Sequence, residues 1–392
     1  MPDLTFTVPT EAVRGWRRHL HAHPELSYEE HATADYVEGV LRDLGIDTWR
    51  PTETSIVGTI EGTATPRAEA PRCIALRADM DALPVQEETG EPFSSTVEGV
   101  MHACGHDTHT AMLLGTAKVR MGIRDQFAGT VKLFFQHAEE MNPGGAKFMV
   151  ENGALEGVDE VYGVHVMNGR AGTLQVPRGP ASSSAGGFFL NIQGVGCHGS
   201  MPHKGVDPVL CAAQVVVALN HIASRNVDPA GFLVVNVGFV TAGTAPNVIP
   251  DTARLGASIR TFDPEVADVA YRRVKEVVAG VCAAYGCTYE FEWVPPYDIV
   301  VNDSDLVDEV LATAERALGP DRAAVTPPFS GSEDFSEFSN RVPGVFVMLC
   351  GGDESDGLPF QNHHPKFNIR EDVLDDGVAF EVQLVLDRLG SA

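Results

Sequence analysis

The segment Cys73-Ile74-Ala75-Leu76-Arg77-Ala78 decides the fold of this chain, because it is a short apolar run that leads directly into Asp79-Met80-Asp81. Runs of this kind are typical of buried strands. A later segment, Val131-Lys132-Leu133-Phe134-Phe135, leads in the same way into His137-Ala138-Glu139-Glu140. Helical patterns alternate with these strands, which predicts an α/β sheet with helices on its faces.

Metal-binding side chains stand where the predicted strands end. The first cluster is His102-Ala103-Cys104-Gly105-His106-Asp107, the second is His137-Ala138-Glu139-Glu140, and His165 follows a third apolar run. In α/β sheets, ligands bind beyond the carboxyl ends of strands. The two neighbouring carboxylates allow one to hold a cation while the other takes a proton from the attacking water. This pattern is typical of a metal-activated hydrolase.

Taken alone, Cys104 and His106 also fit an inert buried cysteine and a helix-capping histidine. Glu140, His165 and a late histidine favour a metal role, because each follows an apolar strand or sits in a loop rich in glycine and proline. The late segment Asn362-His363-His364-Pro365 also fits a solvated turn.

Local signals predict where several helices begin. Ser27 and Glu30 have the spacing of a capping box, and Asp107 is a candidate cap for a helix that continues through Ala117. Asp207-Pro208 and Asp263-Pro264 each combine an N-cap residue with proline at the first helical position.

The pattern of elements changes between residues 186 and 295. Strands and helices follow in the order βαββαβ there, which predicts a ferredoxin-like module. We therefore expect a catalytic domain built from residues 1–185 and 296–392, interrupted by an inserted module at 186–295.

Composition excludes several functions. The chain has 392 residues, with 28 basic and 54 acidic side chains and a formal charge of -26. This excess repels nucleic acid and anionic membranes, so neither is an expected partner. Seven scattered cysteines and an amino terminus, Met1 to Phe6, without a basic and apolar leader favour a cytoplasmic protein. Neither a Gly-x-Ser-x-Gly elbow nor a phosphate-binding loop occurs in the sequence.

Several motifs together resemble the metal-dependent amidohydrolases that include hippurate hydrolase and the plant auxin-conjugate hydrolases, within the aminoacylase and carboxypeptidase clan. The motifs are Arg18 to Ser27, Leu76 to Pro84, Cys104 to Asp107, His137 to Glu140, Gly199 to His203 and Ser332 to Phe335. The resemblance runs from about residue 14 to 375, in the expected order. It implies a catalytic domain with a mixed sheet flanked by helices and a dinuclear metal site, and it implies that the inserted module is a lid and dimerisation domain.

The resemblance also implies roles for individual residues of the first domain. The metal ligands would be Cys104, His106, Glu140, His165 and His363. Glu139 would be the general base, and Asp81 would orient a ligand from behind. His363 stands two residues before the proline, as the late ligand of the family does, and His364 is the second choice. Zinc or manganese is the expected metal, with cobalt or nickel as further options.

In the inserted module, the resemblance points to three residues. His198 would donate a hydrogen bond into the cleft, and Asn247 and Arg260 would contact the substrate, with arginine suited to a carboxylate. We also expect a homodimer through this module.

The function that this resemblance implies is hydrolysis of N-acyl amino acids, such as N-acetyl or N-benzoyl derivatives, to a carboxylic acid and a free amino acid. A dipeptidase or carboxypeptidase on the same scaffold is the main alternative. A non-catalytic protein that binds metal or amino acid is a further one, although binding alone requires no general base.

Overall fold

An eight-stranded mixed sheet organises the larger part of the chain. The computed structural model describes residues 5–65 and 72–390, so the first four residues of the amino-terminal segment considered above lie outside the described part. The described chain divides into two compact units, the first with bounds Met1–Ala181, Val300–Pro327 and Asp334–Ala392, and the second with bounds Ser182–Ile299 and Pro328–Glu333.

The helices of the described residues are α1 (Thr10–Ala22), α2 (His31–Asp43), α3 (His106–Gly122), α4 (Gly145–Glu151), α5 (Pro208–Leu219), α6 (His221–Asn226), α7 (Pro264–Tyr285), α8 (Ser304–Leu318), α9 (Ser336–Ser339) and α10 (Val373–Leu389). The strands are β1 (Asp47–Trp49), β2 (Ile56–Glu61), β3 (Cys73–Asp79), β4 (Thr130–Gln136), β5 (Glu160–Met167), β6 (Leu174–Pro177), β7 (Gly179–Pro180), β8 (Ala185–Gln193), β9 (Cys197–His198), β10 (Leu233–Ala242), β11 (Val248–Ile249), β12 (Thr252–Thr261), β13 (Thr288–Tyr297), β14 (Val301–Asn302), β15 (Ala323–Thr326) and β16 (Gly344–Cys350).

The sheet of the first unit has the strand order β1-β2-β4-β3-β5-β16-β6-β15. The four central strands, β4, β3, β5 and β16, run parallel to one another. Antiparallel pairs at β1, β2 and the β16–β6 contact make the sheet mixed. The α/β sheet flanked by helices is therefore confirmed. Because the central strands are parallel, the segments that follow β3, β4 and β5 meet at one edge.

Helix α3 lies in the core of this unit. It contacts α1, α10 and the central strands, and nearly all of its side chains are buried. The strands beneath it are rich in buried apolar residues, such as Leu76 and Leu133, as expected of parallel strands covered on both faces. The amino end of α3 is thereby fixed next to the carboxyl ends of the strands.

The predicted capping box at Ser27 and Glu30 is wrong. Helix α2 begins at His31, and its free amide groups at positions 32 and 33 donate instead to the carboxylate of Glu25, at 3.2 and 2.7 Å. The Ser27 hydroxyl donates to Asp81, and Glu30 accepts from the backbone of residue 138. Tertiary contacts have taken both side chains away from the helix end.

The predicted cap at Asp107 is also wrong. Helix α3 begins at His106, preceded by Gly105 in a left-handed conformation with φ of 94°. Asp107 lies in the first turn, where its carboxylate accepts from Arg17 Nε and contacts His21 Nδ1, both at 2.9 Å. This buried ion pair fixes the first turn of α3 to α1.

The second unit contains β8, β9, α5, α6, β10, β11, β12, α7 and β13 in chain order, of which β9 and β11 are two-residue strands paired with each other. Its four long strands form an antiparallel sheet in the order β10-β12-β8-β13. The predicted caps of α5 and α7 are confirmed, because Asp207 accepts from Val209 N and Asp263 accepts from Glu265 N, each at 2.8 Å. Among residues 5–65 and 72–390, no helix combines the length and the apolar character that a membrane span requires.

Candidate metal centre

Three of the predicted ligands converge at the amino end of α3. Cys104 lies in the loop before the helix, His106 is its first residue and His165 lies near the end of β5. Cys104 Sγ is 3.4 Å from His165 Nε2, and the donor atoms of all three residues lie within 4.8 Å of one another. Gly105 makes this possible, because a Cβ there would come within 2.4 Å of Val166 Cγ2.

The other two predicted ligands join the same cluster. Glu140 follows β4, and its Oε1 lies 3.2 Å from His363 Nε2. Cys104, Glu140 and His363 form one group of donor atoms within 4.8 Å, and His106 forms another with Glu139 and Glu140. The structure therefore brings all five predicted ligands and the predicted base together.

The hydrogen bonds of His106 and His165 suit metal binding. His106 Nδ1 is 3.1 Å from Asp81 Oδ1, so in the neutral imidazole this nitrogen carries the proton and Nε2 offers its lone pair. His165 Nδ1 is 2.8 Å from the carbonyl oxygen of Val166, which leaves its Nε2 facing Cys104. In metal-bound histidines, the ring nitrogen that does not bind the metal commonly donates its N–H to a carboxylate or a carbonyl oxygen in this way.

Among the side chains of the five predicted ligands, two buried atoms have no hydrogen-bond partner in the described part of the chain, namely His106 Nε2 and Glu140 Oε1. The contact of Glu140 Oε1 with His363 is short but lacks hydrogen-bond geometry. Buried polar atoms are normally satisfied, so such a pair indicates a missing positive partner. The sulfur, nitrogen and carboxylate donors fit a divalent transition-metal cation.

The charges around the cluster are consistent with a cation. Burial by itself would lower the pKa of His106, but the charge of Asp79, the hydrogen bond that His106 donates to Asp81 and the charge of Asp81 raise this pKa to about 10. Burial, together with the charges of Glu140 and Glu139, raises the pKa of the Cys104 thiol. A thiolate at this position therefore requires a compensating positive charge.

Asp81 lies beside the donor cluster and contacts two of its members. Its carboxylate contacts His106 Nδ1 and accepts from Ser27 Oγ at 2.7 Å and from Glu140 N at 2.9 Å. Burial opposes the charged form, but these hydrogen bonds and the charge of His106 lower the pKa of Asp81. One carboxylate thus supports two of the predicted ligands.

Glu139 is buried beside the ligands, with its Oε2 4.0 Å from His106 Nε2. The residue before it, Ala138, has a left-handed backbone with φ of 51°. Glu30 Oε1 accepts from Ala138 N at 2.7 Å, and Asp81 Oδ2 accepts from Glu140 N. Two buried carboxylates therefore fix the backbone on both sides of Glu139.

Asp79 and His109 were missed by the sequence reasoning as members of the site. His109 Nδ1 is 2.6 Å from Asp79 Oδ1, and His109 Nε2 accepts from Val166 N at 2.8 Å. Both ring nitrogens are thus used by protein groups, so His109 supports β5 next to His165. The sequence signal that could have identified His109 was its spacing of three residues from His106, which places the two imidazole rings on one face of α3.

The two adjacent histidines of the late loop differ in their surroundings. His363 has φ of 71° and contacts Glu140, whereas the ring of His364 stacks on Phe360 at 4.2 Å. His364 Nδ1 also accepts from Lys366 N at 3.0 Å. In the part of the chain that the structure describes, only His363 of these two belongs to a donor group.

His198, Asn247 and Arg260 belong to the second unit. His198 on β9 pairs with Val248 on β11, so it lies beside the segment of Asn247, and both side chains are exposed. Ser200 donates to His198 Nδ1 from its backbone at 3.1 Å, which places the ring proton of the neutral imidazole on Nε2. Arg260 lies apart from them on β12, opposite Val234.

Nitrogen, sulfur and carboxylate donors at the carboxyl edge of an α/β sheet, with a further buried carboxylate beside them, define a metal-dependent hydrolase. The sequence profile of Peptidase family M20/M25/M40 matches residues 75–387. The chain belongs to this family.

Individual relatives agree with this assignment. An N-acyl-L-amino acid amidohydrolase of Geobacillus stearothermophilus is 44% identical over 301 residues, which cover 76% of this chain and 80% of that protein. Thermostable carboxypeptidase 2 of Saccharolobus solfataricus is 38% identical over 94% of this chain and 93% of its own length. The crystal structure of Bacillus subtilis YXEP, a dinuclear metal binding peptidase, superposes with a TM-score of 0.82 at 33% identity, covering 97% of this chain and 98% of that one.

Proposed function

We propose that this protein hydrolyses the amide bond of N-acyl amino acids and releases a carboxylic acid and a free amino acid. The observation that carries this proposal is the convergence of five donor residues on one cluster, with the buried Glu139 beside them. Similarity to an N-acyl-L-amino acid amidohydrolase over most of the chain supports the choice of substrate.

Two divalent cations would be held by Cys104, His106, Glu140, His165 and His363. The overlap of the donor groups supports two positions, because Cys104, His106 and Glu140 each occur in more than one group. The thiolate of Cys104 favours zinc, cobalt or nickel, and the carboxylate keeps manganese open. When bound, such cations polarise the amide carbonyl and make water easier to deprotonate.

The protein side chains perform the proton transfers. Glu139 accepts a proton from the attacking water and then delivers it to the leaving amine nitrogen. His198 donates a hydrogen bond from Nε2 to the carbonyl oxygen as negative charge develops there. Asn247 and Arg260 bind the substrate, with the guanidinium paired to its carboxylate. Asp81 holds His106 in the orientation that these steps require.

The first test is the variant Glu139→Gln. We expect it to retain metal and to lose at least ~100-fold in kcat, because a general base contributes roughly 10²–10⁴-fold. Glu140→Gln should instead lose metal, and Glu151→Gln on the exposed side of α4 should match the parent. Metal content is measured by elemental analysis, and turnover of N-acetyl and N-benzoyl amino acids by ninhydrin. A near-normal kcat in Glu139→Gln would show that Glu139 is not the general base.

Carboxypeptidase or dipeptidase activity is the second candidate, because the 38% identical relative in Saccharolobus solfataricus is a carboxypeptidase. A peptide bond is itself an acyl amino acid amide, so both reactions fit the same donors. A panel of acetyl, benzoyl and indoleacetyl amino acids beside dipeptides separates them by kcat/KM. A protein that only binds metal or amino acid would hydrolyse none of them.

We further propose that the second unit is a ferredoxin-like lid and dimerisation domain. Its βαββαβ element order and the sheet order β10-β12-β8-β13 support this assignment. The exposed apolar side chains on the edge strand β10 support a homodimer. A cytoplasmic location is supported by the seven free cysteines, among which Cys211 and Cys282 have their sulfur atoms 3.8 Å apart without a disulfide bond.

A further inference from the structure

We propose that Asn362 is a positioning residue that sets the geometry of the metal centre. This inference rests on the metal ligands of the proposed function and adds a residue that is not itself a ligand. Asn362 lies immediately before His363 and is half-buried. Its side-chain amide contacts both of the other segments that carry the sulfur and imidazole ligands.

The contacts of Asn362 join the segments directly. Its Nδ2 donates to the carbonyl oxygen of Cys104 at 2.9 Å and to that of Val166 at 3.1 Å. The next residue, His363, donates its backbone N–H to Ala103 O at 2.7 Å. The late loop is therefore bound to the segment before α3 and to the end of β5 at the same point.

The carbonyl oxygen of Val166 links Asn362 to the predicted ligand His165. It accepts from Asn362 Nδ2 and also lies 2.8 Å from His165 Nδ1. One oxygen thus fixes the position of the late loop and the tautomer and orientation of His165. A shift of this oxygen would move His165 Nε2 relative to Cys104 Sγ, which lies 3.4 Å away.

The requirement for asparagine follows from the two acceptors. Both partners of Nδ2 are carbonyl oxygens, so the side chain must supply two N–H donors from a single atom at this reach. A carboxylate has the same shape but would face the two oxygens with negative charge. An alanine would remove the donors without adding repulsion. Groups that orient metal ligands typically contribute 10- to 100-fold in metal affinity or activity, as an order of magnitude.

The experiment compares Asn362→Asp and Asn362→Ala with Gln361→Ala, an exposed neighbour on the same loop. Apo full-length proteins are loaded with Co²⁺ or Zn²⁺, and affinity and stoichiometry are measured against a chromophoric chelator. The thiolate-to-cobalt absorption band reports the surroundings of Cys104 independently of activity. Both Asn362 variants should bind at least one ion about 10- to 100-fold more weakly and show an altered band. Gln361→Ala should match the parent.

Each other outcome has a definite meaning. If both Asn362 variants bind two ions with the affinity and spectrum of the parent, the positioning role is overturned. If both variants lose their fold without metal, judged by circular dichroism, Asn362 is a structural residue and the inference also fails. If the parent binds no cobalt, the proposed function fails instead. If the parent binds cobalt but hydrolyses no acyl amino acid, only the substrate assignment fails.

Discussion

At the scale of single residues, the turn that carries Glu139 depends on two buried carboxylates. Glu30 accepts from Ala138 N and Asp81 accepts from Glu140 N. Ala138 has φ of 51°, a conformation that costs a residue with a Cβ about 1–3 kcal/mol unless its surroundings hold it. Burial, followed by the charge of Asp81, raises the pKa of Glu30 to about 7. The turn therefore depends on an acceptor at position 30 more than on its charge.

This dependence predicts different effects for two substitutions of Glu30. Glu30→Gln keeps a carbonyl acceptor for Ala138 N, so its kcat should stay within about 3-fold of the parent. Glu30→Leu leaves a buried N–H without an acceptor, which costs ~1–3 kcal/mol, and kcat should fall at least ~10-fold with metal retained. Glu29→Leu, at an exposed neighbouring position, is the control. Equal kcat values for Glu30→Leu and the parent would show that the turn at Ala138 does not need an acceptor at position 30.

The sequence allowed the predicted ligands to be named because each one follows a strand or opens a helix. The family resemblance selected the full set of five ligands, and Cys104, His106 and Glu140 could also be marked as candidates by local pattern. Asp79, His109 and Asn362 could not, because their partners are 30 to 258 positions away in the chain and become neighbours only when the sheet forms. Apart from the three-residue spacing between His106 and His109, such contacts leave no local trace in the spacing of residues.

At the scale of elements, the interface between helices α3 and α10 contains a buried carboxyl group, that of Glu381. Thr116 Oγ1 on α3 donates to Glu381 Oε2 on α10 at 2.6 Å. Burial raises the pKa of Glu381 to about 8, and the hydrogen bond only partly opposes this. Glu381 is therefore neutral in the folded protein at neutral pH, whereas in the unfolded chain it ionises at its usual pKa of about 4.3.

The sign of the resulting pH dependence follows from these two values. The neutral form stabilises the fold fully below about pH 4, and this contribution is lost as the pH rises toward the folded pKa of about 8. Glu381→Gln has no proton to lose, so its thermal midpoint should exceed that of the parent by at least ~2 °C at pH 8 and by clearly less at pH 5. Calorimetry at both pH values measures this, with the exposed Glu315→Gln as control. A midpoint difference that is the same at both pH values would contradict it.

The long elements could be predicted from the sequence, and the short ones could not. Strand β3 and the caps of α5 and α7 have strong local signals, namely an apolar run and an Asp-Pro pair. The pairs β9 with β11 and β7 with β14 have two residues in each strand, which is too few for any periodicity. The capping box at Ser27 and Glu30 failed for a related reason, because Asp81 and residue 138 compete for the same side chains.

At the scale of the whole molecule, the formal charge of -26 bears on the metal centre. An excess of acidic groups raises the local concentration of divalent cations and lowers that of anions. An anionic acyl amino acid must therefore bind despite electrostatic repulsion from the net negative charge of the protein. The cations of the site and Arg260 are the positive groups that this proposal assigns to the substrate.

The self-association of the chain is the property that remains to be tested at this scale. Strand β10 is an edge of its sheet, and its Val240 is 46% exposed opposite Leu255 of β12. An apolar edge strand offers unpaired backbone groups to a second copy, and a lysine on such an edge prevents the pairing. Sedimentation equilibrium should give the parent twice the chain mass of 42.0 kDa and Val240→Lys a single chain. The control is Val325→Lys on β15, an edge of the other sheet, where the exposed fraction is 50%. A monomeric parent would exclude the homodimer, and a dimeric Val240→Lys would place the contact away from β10.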